Sequence, residues 1–171
     1  MAEQIDIQET LTRMVKALEP LKASRPLMIG IQTGGAWVAQ LLHQMLKLEE
    51  PLGTLDISFY RDDFTRIGVN PQVKTSDLPV DVDNRHIILV DDVLHTGRTI
   101  RAAMNEIFDY GRPACVTLAT LIERDGRELP IRADVVGQSV RLNTKEHIKL
   151  IKNQEDLTPG SLELVIQKAG E

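Results

Sequence analysis

Two adjacent aspartates at the end of an apolar run are the first residues here that could do chemistry. Residues 87–90 read Ile-Ile-Leu-Val, a run typical of a buried strand, and Asp91 and Asp92 follow directly. We call these two residues the acid pair. A short turn before a helical pattern then offers two hydroxyls, a glycine and a guanidinium, on Thr96, Gly97, Arg98 and Thr99. We call it the phosphate turn.

The phosphate turn has the properties that an anion site needs. In open α/β sheets, ligands bind beyond the carboxyl ends of the strands. The start of a helix offers unpaired N–H groups and the positive end of the helix dipole. Gly97 lets the backbone approach a ligand closely, and the two threonine hydroxyls add donors. The turn therefore predicts a bound phosphate.

The acid pair needs a different role, because carboxylates would repel that phosphate. A ribose cis-diol supplies two O–H donors for ionised carboxylates, and the same charges stabilise positive charge that develops at C1′. The arrangement predicts a ribose 5-phosphate. The plainer alternative is a solvated strand end followed by Thr96 as a helix cap. The nucleotide motifs GxGxxG, GxxxxGKS and GxxxxGKT do not occur in the sequence.

Alternating strand and helix patterns position these residues. Short apolar runs predict strands at 27–31, 55–60, 87–90 and 116–122. Apolar residues at helical spacing predict helices at 7–18, 38–46 and 100–108. Strands that alternate with helices are typical of an α/β fold with a central parallel sheet flanked by helices. After Glu123, Val135–Val136 and 162–166 predict further strands around a small hood subdomain.

Residues 61–84 interrupt the regular pattern. They mix charged residues with Gly68, Pro71 and Pro79, and their apolar residues follow no steady period. An irregular stretch of this length inside a compact domain is more often a functional lid than a plain connection. We therefore expect a flexible lid here.

Composition limits the class of protein. The 171 residues, 42% of them hydrophobic, suit a single domain over 1–171. No apolar run approaches the roughly 20 residues that cross a bilayer, and the N-terminus lacks a signal-peptide core, so a cytoplasmic protein without membrane contact is expected. One cysteine excludes a disulfide framework, and Cys115 is expected to be buried. An aromatic content of 4% weakens a base-stacking platform.

Several motifs resemble one known family. The segment ILVDDVLHTGRTIRAA resembles the phosphoribosyl-pyrophosphate motif of type I phosphoribosyltransferases. SFYRDD at 58–63, DYGRP at 109–113 and RELPIRAD at 127–134 are similar to the PyrR family, which combines pyrimidine-operon regulation with uracil phosphoribosyltransferase activity. The resemblance covers roughly residues 28–137.

The resemblance implies a reaction and a set of site residues. Uracil and phosphoribosyl pyrophosphate would give UMP and pyrophosphate, with the 5-phosphate at the phosphate turn and the ribose at the acid pair. The family's pyrophosphate loop matches Gln32, Thr33, Gly34 and Gly35, and its lid matches a segment that includes Arg61, Asp62 and Asp63. Mg²⁺ would be bound mainly through phosphoribosyl pyrophosphate, so no dedicated side-chain cage for a metal is expected.

The hood subdomain, formed from about residues 123–140 with or without the termini, would recognise the base. Glu123 stands where purine-using relatives carry a lysine, and its carboxylate could accept from uracil N3–H while Arg124 donates to a carbonyl oxygen. A mutual salt bridge between these two residues is the alternative. Val135 and Val136 match the stretch that packs against the base.

Two departures from the family pattern concern catalysis. The pyrophosphate loop usually reads Lys-Thr-Arg-Gly, but Gln32 and Gly34 replace both cations, which leaves backbone N–H groups to bind the anion. His95 stands where the family more often has tyrosine. It is either a general base beside the uracil or a packing substitution.

A third departure concerns RNA. Gly126 stands where RNA-binding members often place a histidine. The remaining candidate RNA contacts are Arg13, Lys16, Arg127 and Arg132. Residues 123–145 hold five cations against four acids, and the whole chain has a net charge of -5, so the charge count disfavours a long polyanion.

Three functions therefore follow as hypotheses. The first is a uracil phosphoribosyltransferase, with a pyrimidine-regulatory role besides. The second is a UMP-sensing RNA-binding regulator of pyrimidine genes with weak or no catalysis, and the third is a phosphoribosyltransferase for a purine base. The resemblance also implies a homo-oligomer.

Overall fold

A parallel β-sheet forms the centre of the computed structural model, which describes residues 4–57 and 76–169. Its strands are β1 (Leu27–Ile31), β2 (Gly53–Leu55), β3 (His86–Leu94), β4 (Cys115–Arg124) and β5 (Val135–Val140). They lie in the order β2-β1-β3-β4-β5, and every neighbouring pair is parallel. The α/β fold predicted from the sequence is confirmed.

Helices cover both faces of this sheet. They are α1 (Ile7–Leu18), α2 (Gly34–Leu46) and α3 (Arg98–Tyr110), and each contains one of the apolar patterns that predicted a helix. Ile88 and Val90 of β3 pack with α1 and α2, whereas Ile87 and Leu89 pack with α3. Alternate residues of a strand point to opposite faces, so a run of aliphatic residues is what a strand covered on both sides requires.

A separate hairpin completes the described part of the chain. It consists of the antiparallel strands β6 (Glu146–Lys152) and β7 (Leu162–Lys168). Leu150 and Leu162 are buried and join the apolar cluster of α1 and α2, so the hairpin is tied to the main domain. The strand expected at 162–166 is confirmed, while β6 was not anticipated.

Two predicted segments overlap residues that the structure does not describe. Of the strand expected at 55–60, Leu55 ends β2 and residues 56–57 are not in a strand, because β2 pairs with the last three residues of β1, which ends at Ile31; residues 58–60 lie outside the described residues. Of the lid expected at 61–84, residues 61–75 also lie outside the described residues, whereas Val82 is buried in the core and Asp77 bridges Thr54. Residues 76–84 therefore belong to the packed domain.

The structure shows two further features that bear on the composition. Cys115 is exposed at the first position of β4, so the prediction of a buried cysteine is wrong. Of the helices in residues 4–57 and 76–169, none is long and apolar enough to cross a membrane.

Candidate active site

The carboxyl ends of four neighbouring strands bring the predicted site residues to one edge of the sheet. The pyrophosphate loop follows β1, and the acid pair lies in the last four residues of β3. Leu94 at the end of β3 is in register with Glu123 of β4, which is in register with Ser139 of β5. Loops from all these strands therefore meet at one edge, as ligand sites in open α/β sheets require.

The pyrophosphate loop lies directly against the acid pair. A Cβ atom at Gly35 would be 2.8 Å from the Val90 carbonyl oxygen and 2.9 Å from the Asp91 Cα. A Cβ atom at Gly34 would overlap the Asp92 carboxylate. The peptide bond between Gln32 and Thr33 is cis. The two glycines thus allow a contact between loop and strand that any side chain would prevent.

Each carboxylate of the acid pair is oriented by the backbone that follows it. Asp91 is 4% exposed, and its Oδ1 accepts a hydrogen bond from the Asp92 N–H at 2.8 Å. Asp92 is half-buried, and its Oδ1 accepts from the Val93 N–H at 2.9 Å. The two carboxylates therefore stand as fixed acceptors beside the pyrophosphate loop.

The phosphate turn opens α3 in the way that its glycine predicts. Gly97 has a φ of +96°, a left-handed conformation that favours glycine. The Thr96 hydroxyl accepts from the Arg98 N–H at 3.2 Å. The Arg98 guanidinium lies 3.6 Å from the Glu128 carboxylate, and both side chains are about half exposed. The side chain of Arg98 therefore faces an acid in this structure.

A loop beyond β4 is fastened to this turn. The Thr96 carbonyl accepts from the N–H groups of Glu128, at 3.0 Å, and Leu129, at 3.1 Å. Leu129 also lies beside Gly97, where an added Cβ atom would be 3.3 Å from that of Leu129. We call residues 125–129 the hood loop.

The two residues predicted to read the base have separate surroundings. Glu123 accepts from the Ser139 hydroxyl at 3.3 Å, across β4 and β5. Arg124 is buried and donates to the carbonyl oxygens of Glu146, at 2.8 Å, and Asp125, at 3.3 Å. Their side chains thus have partners other than each other, and Arg124 fastens β6 to the hood loop.

Val135 and Val136, which were also predicted to contact the base, lie farther from the carboxyl ends of the strands than Glu123 does. Val135 packs against the apolar cluster of α1 and α2. Val136 is in register with Thr120, which is in register with Asp91. Ser139, three residues later, reaches the end of the sheet, and sequence reasoning missed it. A lone serine belongs to no motif, so Ser139 could be found only from the register in which β5 pairs with β4.

The cations predicted to contact RNA divide into two groups. Arg13 of α1 donates to the Gly137 carbonyl oxygen at 3.0 Å and to the Gln138 side chain at 3.2 Å, so it ties α1 to β5. Lys16 is exposed on α1. Arg127 and Arg132 line a cavity of about 440 Å³ together with two further arginines and two acids, namely Arg124, Arg141, Glu123 and Asp125.

The lid residues and the metal remain predictions. Arg61, Asp62 and Asp63 lie outside the described residues. Within the described ranges, no group of three or more His, Cys, Asp or Glu side chains is arranged to hold a metal ion. The two carboxylates beside residues 32–35 nevertheless fit Mg²⁺, which keeps several waters and binds one or two carboxylates together with substrate phosphates.

Comparison with known proteins agrees with this geometry. Residues 4–152 match the family model of the phosphoribosyl transferase domain. The Bifunctional protein PyrR of Pseudomonas paraeruginosa is 58% identical over 147 residues, which cover 84% of this chain and 86% of that protein. The protein of the same name from Nitrosococcus oceani is 66% identical over 129 residues, covering 74% of this chain and 73% of that protein.

Solved structures of purine-using enzymes share the fold. A hypoxanthine-guanine-xanthine phosphoribosyltransferase superposes with a TM-score of 0.65 at 18% identity, covering 100% of this chain and 96% of that chain. A hypoxanthine phosphoribosyltransferase from Staphylococcus aureus gives 0.63 at 17% identity, covering 82% of this chain and 78% of that chain. Fold, site geometry and sequence similarity together identify this chain as a member of the PyrR family of phosphoribosyltransferases.

Proposed function

We propose that this protein transfers a phosphoribosyl group from phosphoribosyl pyrophosphate to uracil, which gives UMP and pyrophosphate. One observation supports this most strongly. The acid pair, oriented by its own backbone, lies against the pyrophosphate loop and precedes the phosphate turn by four residues. Three binding elements for the two ends and the sugar of phosphoribosyl pyrophosphate thus occupy one edge of the sheet.

The phosphate turn and the acid pair have separate roles in the reaction. The N–H groups and hydroxyls of the phosphate turn hold the 5-phosphate, and the acid pair accepts from the ribose hydroxyls. The bond from C1′ to the pyrophosphate oxygen breaks and a bond from C1′ to uracil N1 forms, while the N1 proton leaves to solvent. Asp91 and Asp92 stabilise the positive charge at C1′ between these events.

The pyrophosphate leaves toward a loop without cations. Backbone N–H groups of the pyrophosphate loop bind the anion, as nests of backbone amides do. The acid pair would help to hold Mg²⁺ together with the substrate phosphates, and the bound ion would supply the positive charge that Gln32 and Gly34 do not.

Base recognition is proposed for the end of β4 and β5. The Ser139 hydroxyl holds the Glu123 carboxylate, which accepts from uracil N3–H. A lysine at position 123 would instead donate, which suits the carbonyl oxygen of a purine. Arg124, with its guanidinium on two backbone carbonyls, positions the hood loop.

A competition among bases tests the reaction. Purified protein, phosphoribosyl pyrophosphate and Mg²⁺ are supplied with uracil, hypoxanthine, guanine and xanthine together, and the nucleotides formed are separated. We expect UMP to exceed each purine nucleotide by at least about 100-fold. A base that leaves a buried polar group of the site without a partner is converted more slowly by about this factor or more. Formation of a purine nucleotide instead would establish the purine hypothesis, and formation of none would favour the regulator without catalysis.

A second function, RNA binding in pyrimidine regulation, is proposed from one observation. The cavity beside the hood loop gathers four arginines against two acids. The cavity therefore has a surplus of two positive charges, whereas residues 123–145 as a whole have a surplus of one. The difference arises because folding brings Arg141 next to Arg127 and Arg132, while Glu128, Asp134 and Lys145 do not line the cavity. A cationic groove of this kind supports binding of a phosphate backbone.

A further inference from the structure

His95 and Gly126 form a contact in which one partner has no side chain. His95 follows the end of β3 and precedes Thr96 of the phosphate turn. A Cβ atom at position 126 would lie 2.8 Å from His95 Nε2 and 3.1 Å from Cδ2. Gly126 also has a φ of +107°. The imidazole therefore occupies the space that a side chain at 126 would need.

The hood loop that contains Gly126 joins the two ends of the site. At one end, Arg124 donates to the Glu146 carbonyl oxygen and holds the start of the loop against β6. At the other end, the N–H groups of Glu128 and Leu129 donate to the Thr96 carbonyl oxygen. His95 touches the loop between these two anchors, so its ring sets how the loop lies between the base end and the phosphate turn.

The surroundings of His95 disfavour a proton on its ring, and burial is the main cause. Burial lowers the pKa of His95 first, and the Arg124 guanidinium at the end of β4 lowers it further. Glu128 raises the pKa, His147 of β6 lowers it, and Asp125 raises it, with depression as the net result. The imidazole packed on Gly126 is therefore neutral near pH 7.

We propose that neutral His95 is a positioning residue that holds the hood loop against the phosphate turn, so that uptake of the base weakens when its ring is protonated. The consequence for the base rests on the proposed function, whereas the contact itself does not. His95 makes no contact with the reacting atoms in this account. Its Nε2 lies against the Gly126 backbone, as a packing role requires.

The direction of the pH effect follows from the depressed pKa. Above the ordinary histidine pKa of about 6.5, the ring is neutral whether the loop is closed or released. Below it, the ring of a released loop takes a proton more readily than the ring packed on Gly126. Acid therefore favours release of the hood loop, and alkaline pH restores the closed form.

Hydrogen exchange measures this release without any substrate. The readout is the protection factor, corrected for the intrinsic exchange rate, of the Glu128 and Leu129 amides. Between about pH 8 and about pH 5.5 we expect a severalfold loss in the wild type, with an upper limit of about tenfold set by protonation of a released ring of ordinary pKa. His95→Gln, whose amide does not titrate, should show no such loss.

Two results would overturn the proposal in this measurement: unchanged protection in the wild type, or the same loss in His95→Gln. His43→Gln is the matched control and should behave like the wild type. The His43 ring bonds the Glu50 carbonyl oxygen at 2.7 Å, away from the hood loop.

Kinetics test the contact with Gly126. We expect Gly126→Ala to raise the KM for uracil about tenfold in the wild type but only about threefold in His95→Ala, where the backbone strain remains and the overlap is gone. The KM for phosphoribosyl pyrophosphate should change less. Gly160→Ala is the control, because its Cβ would meet only Thr158 Oγ1 at 3.8 Å.

Equal effects of Gly126→Ala in both backgrounds would contradict the contact. If no base is converted, the proposed enzymatic function fails, and hydrogen exchange alone then decides whether His95 holds the loop. The two failures are thereby distinguishable.

Discussion

The double substitution Asp91→Asn with Asp92→Asn is expected to lower the rate of UMP formation by about a thousandfold. Asparagine keeps the size of each side chain and its acceptor oxygen, so the hydrogen bonds to the Asp92 and Val93 N–H groups can persist. What is lost is negative charge beside C1′, where positive charge develops. The measurement is the initial rate with saturating uracil and phosphoribosyl pyrophosphate.

A control separates this effect from a general change in charge. Asp109→Asn with Asp156→Asn removes the same two charges from exposed positions and should leave the rate within about twofold of the wild type. Thermal unfolding of both double variants checks that they are folded. Unchanged turnover in the acid-pair variant would refute the assignment of the site.

The double substitution Arg127→Ala with Arg132→Ala is expected to weaken binding of the leader RNA of pyrimidine genes by about 30-fold or more. Both residues are exposed and line the cationic cavity. Each arginine that leaves a phosphate contact also lowers the salt dependence, so the slope of log K against log salt concentration should fall by about two. The measurement is a titration of labelled RNA at several salt concentrations.

The matched control removes two exposed arginines outside the cavity. Arg101→Ala with Arg112→Ala changes the net charge equally and should weaken RNA binding by no more than about twofold to threefold. An equal loss in both variants would mean that total charge, not this cavity, governs binding. Absence of RNA binding by the wild type at low salt would reject the second function.

The acid pair and the phosphate turn could be predicted from sequence because both depend on local order. A strand, two acids and a glycine turn before a helix lie within residues 87–100, so their order along the chain is enough to bring them near one another. The helices were equally accessible, because apolar residues at helical spacing mark the face that packs on the sheet.

Contacts between distant segments could not be predicted in this way. Ser139 meets Glu123 only because β5 pairs with β4 in one register, and Arg13 meets Gly137 across more than a hundred residues. Arg124 was assigned to the base from its position, but its guanidinium holds the backbone of β6. Side-chain direction at such positions is a property of the packed domain.

The extent of the irregular segment and the distribution of charge could not be predicted for a related reason. Leu78, Val80 and Val82 recur at every second residue and pack on the α3 side of the sheet, but this short alternation lies within a stretch that has no steady period as a whole. Counting charges along the chain likewise treated acids and bases as mixed. The cavity beside the hood loop shows that they are partly separated.

The most direct test of the central claim is a crystal structure of the protein with UMP and Mg²⁺. We predict the 5′-phosphate within hydrogen-bond distance of the N–H groups and hydroxyls of the phosphate turn, and the ribose hydroxyls on the Asp91 and Asp92 carboxylates. The uracil ring should lie at the Glu123 end of β4. A nucleotide whose phosphate lies instead among Arg127, Arg132 and Arg141, with the acid pair free of the sugar, would contradict the account.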